Sequence, residues 1–233
     1  MKTYKIEALI ISLGLIIFGY FVQRGLADFS KGARIVSVKG LSEMEVPADK
    51  VTWPLVFKDV GNSLSDLHTN INKKNEAIIK FLKQKGVVDD EISLAAPDVM
   101  DLSANRYNNN PVPYRYNVTS VLTVSSNDVQ KIRKLILSQS ELLKQGIAIA
   151  GDDYRYRTSY SFTKLNEIKP KMIEEATKNA RAAAVTFAKD SKSKLGKIKS
   201  ASQGQFSINN RDENTPHIKL IRVVTTVDYF LED

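Results

Sequence analysis

The stretch YRYNVTSVLTVSSNDVQKIRKLI, residues 114–136, contains a change of hydrophobic period that indicates the fold class. Its first half alternates apolar and polar side chains, which is typical of a β-strand with one buried face. The residues of that face are Tyr116, Val118, Leu122 and Val124. Its second half has a helical spacing, and we expect Ser126 or Asn127 to cap the helix. The apolar residues of the helix are Val129, Ile132, Leu135 and Ile136. A strand that leads directly into a helix predicts a domain of mixed α and β structure.

Similar patterns extend in both directions from this stretch. Alternating segments predict strands at residues 36–39, 51–57, 92–102, 154–162, 198–208 and 218–231. Pro54 lies inside the second of these and implies an edge or a bulge, because proline cannot donate to a β-ladder. A helix is expected between Ser63 and Gly86, and a longer one from about Glu167 to Lys194, with Pro170 in its first turn and Gly196 ending it. We therefore predict an α+β fold with a largely antiparallel sheet and about three helices, one of them long, packed mainly on one face.

An apolar segment at the N-terminus predicts a further, separate helix. Lys2 and Lys5 precede the run ALIISLGLIIFGYFV, residues 8–22. As a helix this run spans about 22 Å, which is short of the ~30 Å hydrocarbon core, but residues 4–23 are long enough to cross it. The segment is an uncleaved anchor, a cleaved signal sequence or a buried helix of a soluble protein, and residues 25–27 are a weak cleavage site. We divide the chain into this segment, residues 1–33, and one domain, residues 34–233.

Composition limits the chemistry that is available to the chain. The 233 residues include no Cys and two His, which excludes disulfides, thiolate metal sites and a cysteine nucleophile. No phosphate-binding loop, dinucleotide fingerprint or hydrolase motif occurs in the sequence. The formal net charge of +8 is concentrated near the N-terminus and in one lysine-rich run, so we consider nucleic acid an unlikely partner. We predict a protein that is not an enzyme, with no catalytic residues, no metal site and no cofactor.

The long helix contains a stripe of small and apolar residues. Its members recur three or four positions apart and are Ile173, Ala176, Ala180, Ala183 and Phe187. Alanine at the centre of such a seam lets another backbone approach closely. The stripe is a candidate oligomer seam if the same helix of another subunit covers it, and it is part of the core if the protein's own sheet does.

Two further features are candidates for ligand binding. The first is an interleaving of tyrosine and arginine at Tyr114, Arg115, Tyr116, Tyr154, Arg155, Tyr156 and Arg157. Such a sheet face could stack bases and hold phosphate, although a strand with tyrosine facing the helices and arginine facing solvent has the same pattern. The second is a lysine patch within KDSKSKLGKIK, residues 189–199, formed by Lys189, Lys192, Lys194, Lys197 and Lys199. It could contact anionic lipid headgroups or an acidic polymer, or it could be a solvated helix end.

Several short motifs together resemble a known family. They are VSVKG at residues 36–40 followed by Glu43 and Glu45, VPADKV at residues 46–51, FLKQKGV at residues 81–87, the strand YRYNVTSVLTV, NARAAA at residues 179–184 and KLGKI at residues 194–198. The chain is similar to the SIMPL-domain family, also called the periplasmic oxidative-stress-defence or outer-membrane immunogenic protein family, over about residues 34–231. The resemblance implies an exported α+β domain that is often oligomeric, has no established catalytic residues and acts by interaction.

These observations lead to one functional hypothesis and one alternative. We expect an envelope-facing, membrane-tethered scaffold or interaction protein that self-assembles as a homo-oligomer and is linked to envelope stress defence. It would be anchored in the inner membrane and face the periplasm, or be free in the periplasm if the N-terminal segment is cleaved. The alternative is a binding module for an anionic polymer, a lipid headgroup or another ligand, which would use the tyrosine–arginine face and the lysine patch.

Overall fold

The computed structural model describes residues 3–30, 34–104, 113–151 and 154–232 of the chain. The helices in these ranges are α1 (Thr3–Ser30), α2 (Leu64–Gln84), α3 (Val129–Ser138), α4 (Ser140–Leu143) and α5 (Leu165–Asp190). The strands are β1 (Ile35–Pro47), β2 (Lys50–Gly61), β3 (Ile92–Leu94), β4 (Asp98–Asp101), β5 (Tyr116–Ser126), β6 (Ser159–Ser161), β7 (Lys194–Gln203), β8 (Ser207–Asn210) and β9 (Ile218–Glu232). Asp89–Glu91 and Tyr154–Tyr156 are short 3₁₀ turns.

The strands form two antiparallel sheets, which confirms the α+β class and replaces the single predicted sheet with two. One sheet has the order β1-β9-β7, with β8 paired to β9, and the other has the order β3-β5-β2-β6, with β4 paired to β5. The chain divides into two compact units. The first unit comprises Met1–Glu43, Pro170–Phe206 and Arg222–Asp233, and the second comprises Met44–Lys169 and Ser207–Ile221.

The second unit is built on the pairing of β2 with β5. The two strands pair along their full length, from Val51 opposite Ser126 to Gly61 opposite Tyr116. Because side chains alternate along a strand, each strand turns one row of apolar residues toward the helices. The core that results contains Trp53, Leu55, Phe57, Leu122 and Val124 from the strands and Leu67, Ile71, Ile78, Leu82, Ile132 and Leu135 from α2 and α3. The helical stripes predicted from the sequence therefore cover this sheet.

Pro54 lies where β2 has an open edge. The short strand β6 pairs only with Lys50–Thr52 of β2, so among the described residues no strand lies beside the remainder of that side. Val56 O accepts a hydrogen bond from Ala150 N at 2.7 Å, so the backbone groups of Val56 point away from β5. Because backbone groups alternate in direction along a strand, those of every second residue from Val56 point the same way. The nitrogen of Pro54, two residues earlier, has the same direction and is not needed for the ladder. The edge expected from the sequence is confirmed at this position.

Several predicted boundaries in the second unit are wrong. Tyr154–Tyr156 is a 3₁₀ turn and only Ser159–Ser161 is a strand, so residues 154–162 are not one alternating strand. The strand predicted at residues 92–102 is two short strands, β3 and β4. The cap of α3 is Asp128, whose carboxylate accepts from Lys131 N at 3.0 Å, rather than Ser126 or Asn127. The predicted start of α2 is confirmed, because Ser63 caps the helix and its hydroxyl accepts from Asp66 N at 3.3 Å.

The first unit pairs the long helix α5 with its own sheet. The buried residues of α5 recur at every fourth position and are Met172, Ala176, Ala180, Ala184 and Ala188. Ala180 and Ala184 pack with Val38 of β1 and with Val227 and Tyr229 of β9. Four of the five buried positions are alanine, so this face of the helix approaches the sheet closely. The packing of the long helix on a sheet is as predicted.

The helix α5 ends earlier than the sequence suggested. It stops at Asp190, and Gly196 lies inside β7 instead of ending the helix. Lys192 adopts the left-handed conformation with φ of 54°, while Ser193 N donates to Ala188 O at 2.8 Å and Lys192 N donates to Lys189 O at 3.1 Å. These are the two bonds of a Schellman motif, with lysine at the position where glycine is usual. Pro170 lies in the second turn of α5 rather than in the first.

Candidate functional site

The N-terminal helix α1 is long and apolar enough to cross a membrane. The part of the helix that could span a membrane, Glu7–Gly25, has 19 residues and a mean hydropathy of 1.6, and none of it is buried within the protein. At ~1.5 Å per residue it covers about 28 Å, close to the ~30 Å hydrocarbon core. At its C-terminal end Arg24 NH1 donates to the Tyr20 hydroxyl at 3.1 Å, an arrangement suited to a membrane–water interface. The helix is compatible with a membrane anchor and with a signal sequence.

At Gly40 of β1 the backbone of α5 lies directly against the strand, and the sequence indicated this glycine only as part of a motif. A Cβ at this position would lie 1.9 Å from Ala176 O and 2.4 Å from Ala180 N. Two polar contacts flank this crossing, because Ser42 Oγ donates to Glu175 Oε2 at 2.8 Å and Asn179 Nδ2 donates to Leu41 O at 2.8 Å. Glycine is thus required at this position so that the helix backbone can touch the strand backbone.

The predicted oligomer seam is divided between the interior and the surface. Ala176 and Ala180 are fully buried within the first unit. Ile173 and Ala183 are half-buried, and the Phe187 side chain is 58% exposed. The alanines are therefore covered by the protein's own sheet, which is one of the two alternatives that the sequence left open. Phe187 is therefore the residue of the stripe that is most accessible to another molecule.

The strand β7 has an open edge and two exposed faces. It pairs with β9 alone and stands at the end of its sheet's strand order in the described part of the chain. Every residue from Lys197 to Gln203 is exposed. A long edge strand with unpaired backbone groups is a template for another strand. The sequence did not indicate that this strand is an edge, because the alternation of residues 198–208 does not show which side of a strand is paired.

The lysine patch surrounds the turn between α5 and β7. Lys189, Lys192, Lys194, Lys197 and Lys199 are all exposed. A shallow groove of about 400 Å³ beside them is lined by Thr186, Phe187, Lys189, Asp190 and Lys192. Lys189 and Lys192 lie at the C-terminal end of α5, where their charges oppose the negative end of the helix dipole, whereas Lys194, Lys197 and Lys199 lie on β7.

The tyrosine–arginine residues do not form a continuous sheet face. Tyr114 and Arg115 precede β5, whereas Tyr154, Arg155 and Tyr156 form the 3₁₀ turn. Arg115 Nε and NH2 donate to Asp101 Oδ2 at 3.1 and 2.9 Å, and these bonds hold the pKa of Asp101 below its usual value.

Each cluster also has its own cation–π contact. The Arg115 guanidinium lies 4.9 Å from the centroid of the Tyr116 ring, and Arg155 lies 5.4 Å from that of Tyr156. Arg157 is exposed after the turn, and Tyr154 is 76% exposed. The interleaved pattern is thus two separate local clusters rather than an alternating strand face with which successive bases could stack.

Asp49, in the VPADKV motif, holds the chain at the start of α5, a role that the sequence did not indicate. Its carboxylate accepts hydrogen bonds from Thr163 N at 2.8 Å, from Lys164 N at 3.1 Å and from the Thr163 hydroxyl at 3.1 Å. These residues directly precede α5, so the turn between β1 and β2 satisfies backbone donors at the start of that helix. Asp49 is a structural residue, since its oxygens are engaged with the chain itself.

Titratable side chains are dispersed rather than convergent. No group of three or more His, Asp or Glu residues able to hold a metal ion occurs among residues 3–30, 34–104, 113–151 and 154–232. Lys219 is buried, its ammonium donates to Asn210 Oδ1, and burial lowers its pKa. The pKa of His217 is also lowered, first by burial and then by the neighbouring charges of Arg133 and Arg211.

The fold defines a class of protein: an α+β protein with an N-terminal apolar helix long enough to cross a membrane. The family model described as SIMPL, protein of unknown function (DUF541), matches residues 36–219. The match covers most of the chain, and the chain therefore belongs to the SIMPL family, as its motifs suggested. No curated protein matches the chain. Family membership and the apolar helix α1 are compatible with a location in the cell envelope.

Proposed function

We propose that this chain is a membrane-tethered, envelope-facing interaction protein that assembles with copies of itself and catalyses no reaction. The observation that carries the proposal is the open edge of β7. An exposed strand edge binds another strand through main-chain hydrogen bonds, a recurring mode of protein recognition. The helix α1 supports the tether, because copies confined to one membrane meet at a high effective concentration, so a weak contact suffices.

The direction of the backbone supports pairing through particular residues of β7. Gly204 N donates to Val224 O at 2.8 Å, and residues 200–203 pair regularly with residues 225–228 of β9. Because backbone groups alternate in direction along a strand, those of Ala201 and Gln203 point away from β9. The open edge therefore offers donors and acceptors at these two positions.

The charges of β7 favour one register. Lys197 and Lys199 lie in its first half, and lysines on an edge oppose indiscriminate pairing. In an antiparallel pairing of two copies centred on Ser202, Ala201 of one copy is opposite Gln203 of the other, and Lys199 is opposite Gln205. Like charges directly opposite each other would destabilise the pair, and this register avoids them.

The assembly is tested by Ala201→Pro in the full chain, purified in detergent micelles. Proline removes the outward N–H of Ala201 and leaves the bonds to β9 intact, so the fold persists while assembly is lost. Ala201→Val is the matched control, because it keeps the N–H and should keep the assembly. The measurement is mass by light scattering over a range of concentrations, with circular dichroism to check the fold. A wild-type chain that stays monomeric throughout, or an Ala201→Pro chain that assembles normally, refutes this interface.

The tether is tested separately by fractionation and protease protection in cells. We expect the full-length chain in the membrane fraction, with residues 34–233 cleaved by protease added from the extracytoplasmic side. A shortened chain in the soluble envelope fraction would instead show that the N-terminal segment is removed.

A second candidate function is binding of an anionic polymer by the lysine patch, which is supported by the exposure of all five lysines along the end of α5 and the first half of β7. The test is binding of a sulfated polysaccharide at increasing salt by the wild type and by a Lys192→Gln, Lys194→Gln, Lys197→Gln triple variant. Each neutralised lysine should lower the slope of log affinity against log salt by about one. Lys73→Gln, Lys80→Gln, Lys83→Gln on α2 is the control, and equal slopes for the two triple variants would exclude the patch.

A further inference from the structure

The helices α3 and α4 present leucines to solvent in the second unit. The side chain of Leu137 is 83% exposed and that of Leu143 is 60% exposed. Both line a groove of about 370 Å³ whose other apolar walls are Ile136 and Ile149. Neither leucine contributes to the core, which α3 and α4 reach through Ile132, Leu135 and Leu142. Large apolar side chains that protrude together mark a contact surface.

Basic side chains adjoin these leucines. Lys134 and Arg133 line a second groove that shares Leu137 with the first, and Lys144 follows Leu143 in the chain. Within the part of the chain that the structure describes, neither Lys134 nor Lys144 has an acidic partner. Glu141 is already engaged, because its carboxylate lies 2.9 Å from the ammonium of Lys85. We call this surface the α3–α4 ridge, and it consists of Lys134, Leu137, Leu143 and Lys144. Its protruding side chains are the two leucines, and positive lysines flank them.

We propose that the α3–α4 ridge is a second membrane contact, which inserts Leu137 and Leu143 into the headgroup region of a bilayer that contains anionic lipid. Interfacial helices bind in this way, with apolar side chains among the acyl boundary and lysines beside anionic headgroups. The inference rests on the tether of the proposed function. Residues 31–34 are all that separates α1 from β1, and four residues reach at most about 14 Å, so the bilayer is always near the folded part.

A bilayer fits these observations better than an acidic protein does. A fluid lipid surface admits protruding leucines wherever they fall, whereas a protein partner needs matching pockets. The tether also makes the bilayer the one surface that every copy of the chain meets. The ridge would fix how the second unit is presented at the membrane, which would in turn orient any surface used for assembly.

The test uses the absence of native cysteine, which allows one fluorescent label to be attached at a chosen residue. The full chain is reconstituted into vesicles of phosphatidylcholine alone or mixed with phosphatidylglycerol, after labelling of Leu137→Cys with an environment-sensitive dye. Val99→Cys, on β4 of the same unit and 50% exposed, is the matched control. Leu15→Cys in α1 reports insertion of the tether independently. Quenching by lipid-borne quenchers measures contact with the bilayer.

We expect the label at position 137 to be quenched in anionic vesicles, the label at position 99 to remain in water, and the label at position 15 to be in lipid in both vesicle types. Adding Lys134→Gln and Lys144→Gln should reduce contact with the bilayer. The ratio of chains whose ridge contacts the bilayer to chains whose ridge does not should fall about fivefold for each lysine.

Three results overturn the inference. A label at position 137 that stays in water while the label at position 15 is in lipid refutes the ridge contact and leaves the tether intact. A label at position 15 that stays in water refutes the tether and the contact that rests on it. A label at position 137 that responds to soluble polyglutamate but not to anionic vesicles assigns the ridge to an acidic protein instead.

Discussion

Replacing Gly40 with alanine should separate α5 from the strand on which it packs. The added Cβ would lie 1.9 Å from the carbonyl oxygen of Ala176 and 2.4 Å from the amide nitrogen of Ala180, both of them backbone atoms. Ordinary contacts of a Cβ begin near 3.4 Å, so the helix must retreat by about 1.5 Å at this point. A helix backbone cannot rotate out of the way as the end of a long side chain can.

The cost should be at the upper end of the range for overpacked cores. Such substitutions typically destabilise by about 1–3 kcal/mol, and here no side chain can relax to relieve the contact. A shift of the helix would also loosen the packing of the neighbouring alanines, Ala180 and Ala184, against Val38. We therefore expect a loss of about 3 kcal/mol of unfolding free energy, which for a chain of this size lowers the melting temperature by about 6–12 °C.

The assay is urea unfolding of the full chain in detergent micelles, followed by far-ultraviolet circular dichroism. Gly151→Ala is the control, because a Cβ there meets no atom within 4 Å, and its stability should be unchanged or slightly raised. An unfolding free energy of Gly40→Ala within about 0.5 kcal/mol of the wild type would refute the close crossing of helix and strand.

Three other predictions follow from single contacts. Lys192→Gly should stabilise the chain by about 1 kcal/mol in urea unfolding, because glycine adopts the left-handed conformation of this residue without strain, whereas Lys189→Gly inside the helix should destabilise it. Asp49→Ala should cost about 1–2 kcal/mol in the same assay through loss of its bonds to Thr163 and Lys164, and an unchanged midpoint would contradict the capping role. The pKa of Asp212 is lowered to about 2, first by the hydrogen bond from the Thr215 hydroxyl. Since the pKa is depressed in the folded state, its contribution is present above the ordinary carboxyl pKa of about 3.9 and is lost as the pH falls through about 2. Asp212→Asn should therefore melt below the wild type at pH 6, with a difference that vanishes near pH 2, and a constant difference would exclude titration of this group.

Elements with strong local signals were predictable. The core strand β5 alternates apolar residues through Val118, Leu122 and Val124, and these side chains are buried as expected. The helix α2 has a serine cap at Ser63 and a glycine with positive φ at Gly86, so both of its ends could be read from residue type. The exposure of the lysines in residues 189–199 was also predictable, because lysine is rarely buried. In each case the physical cause lies within a few residues of the feature.

Predictions of element boundaries failed where a local residue preference competed with pairing to a distant strand. Residues 154–156 alternate tyrosine and arginine as a strand would, but β6 pairs with β2 only through Ser159–Ser161, and residues 154–156 form a 3₁₀ turn instead. The end of α5 was assigned to Gly196 because glycine commonly follows a helix, whereas the turn forms at Lys192 and Gly196 lies against β9, where a Cβ would be 3.0 Å from Phe230 O. Pairing with a distant strand outweighed residue preference in both cases.

The amino-acid sequence by itself determined the α+β class, the span-length N-terminal helix, the lysine patch and membership of the SIMPL family. These properties depend on hydrophobic period, composition and short motifs, which act over a few residues. Only the tertiary structure decided that Ala176 and Ala180 face the protein's own sheet, that β7 has an open edge and that Leu137 protrudes beside Lys134. Such properties depend on which distant segments pack together, because the same amphipathic stripe can be covered by the chain itself, by a second copy or by a membrane.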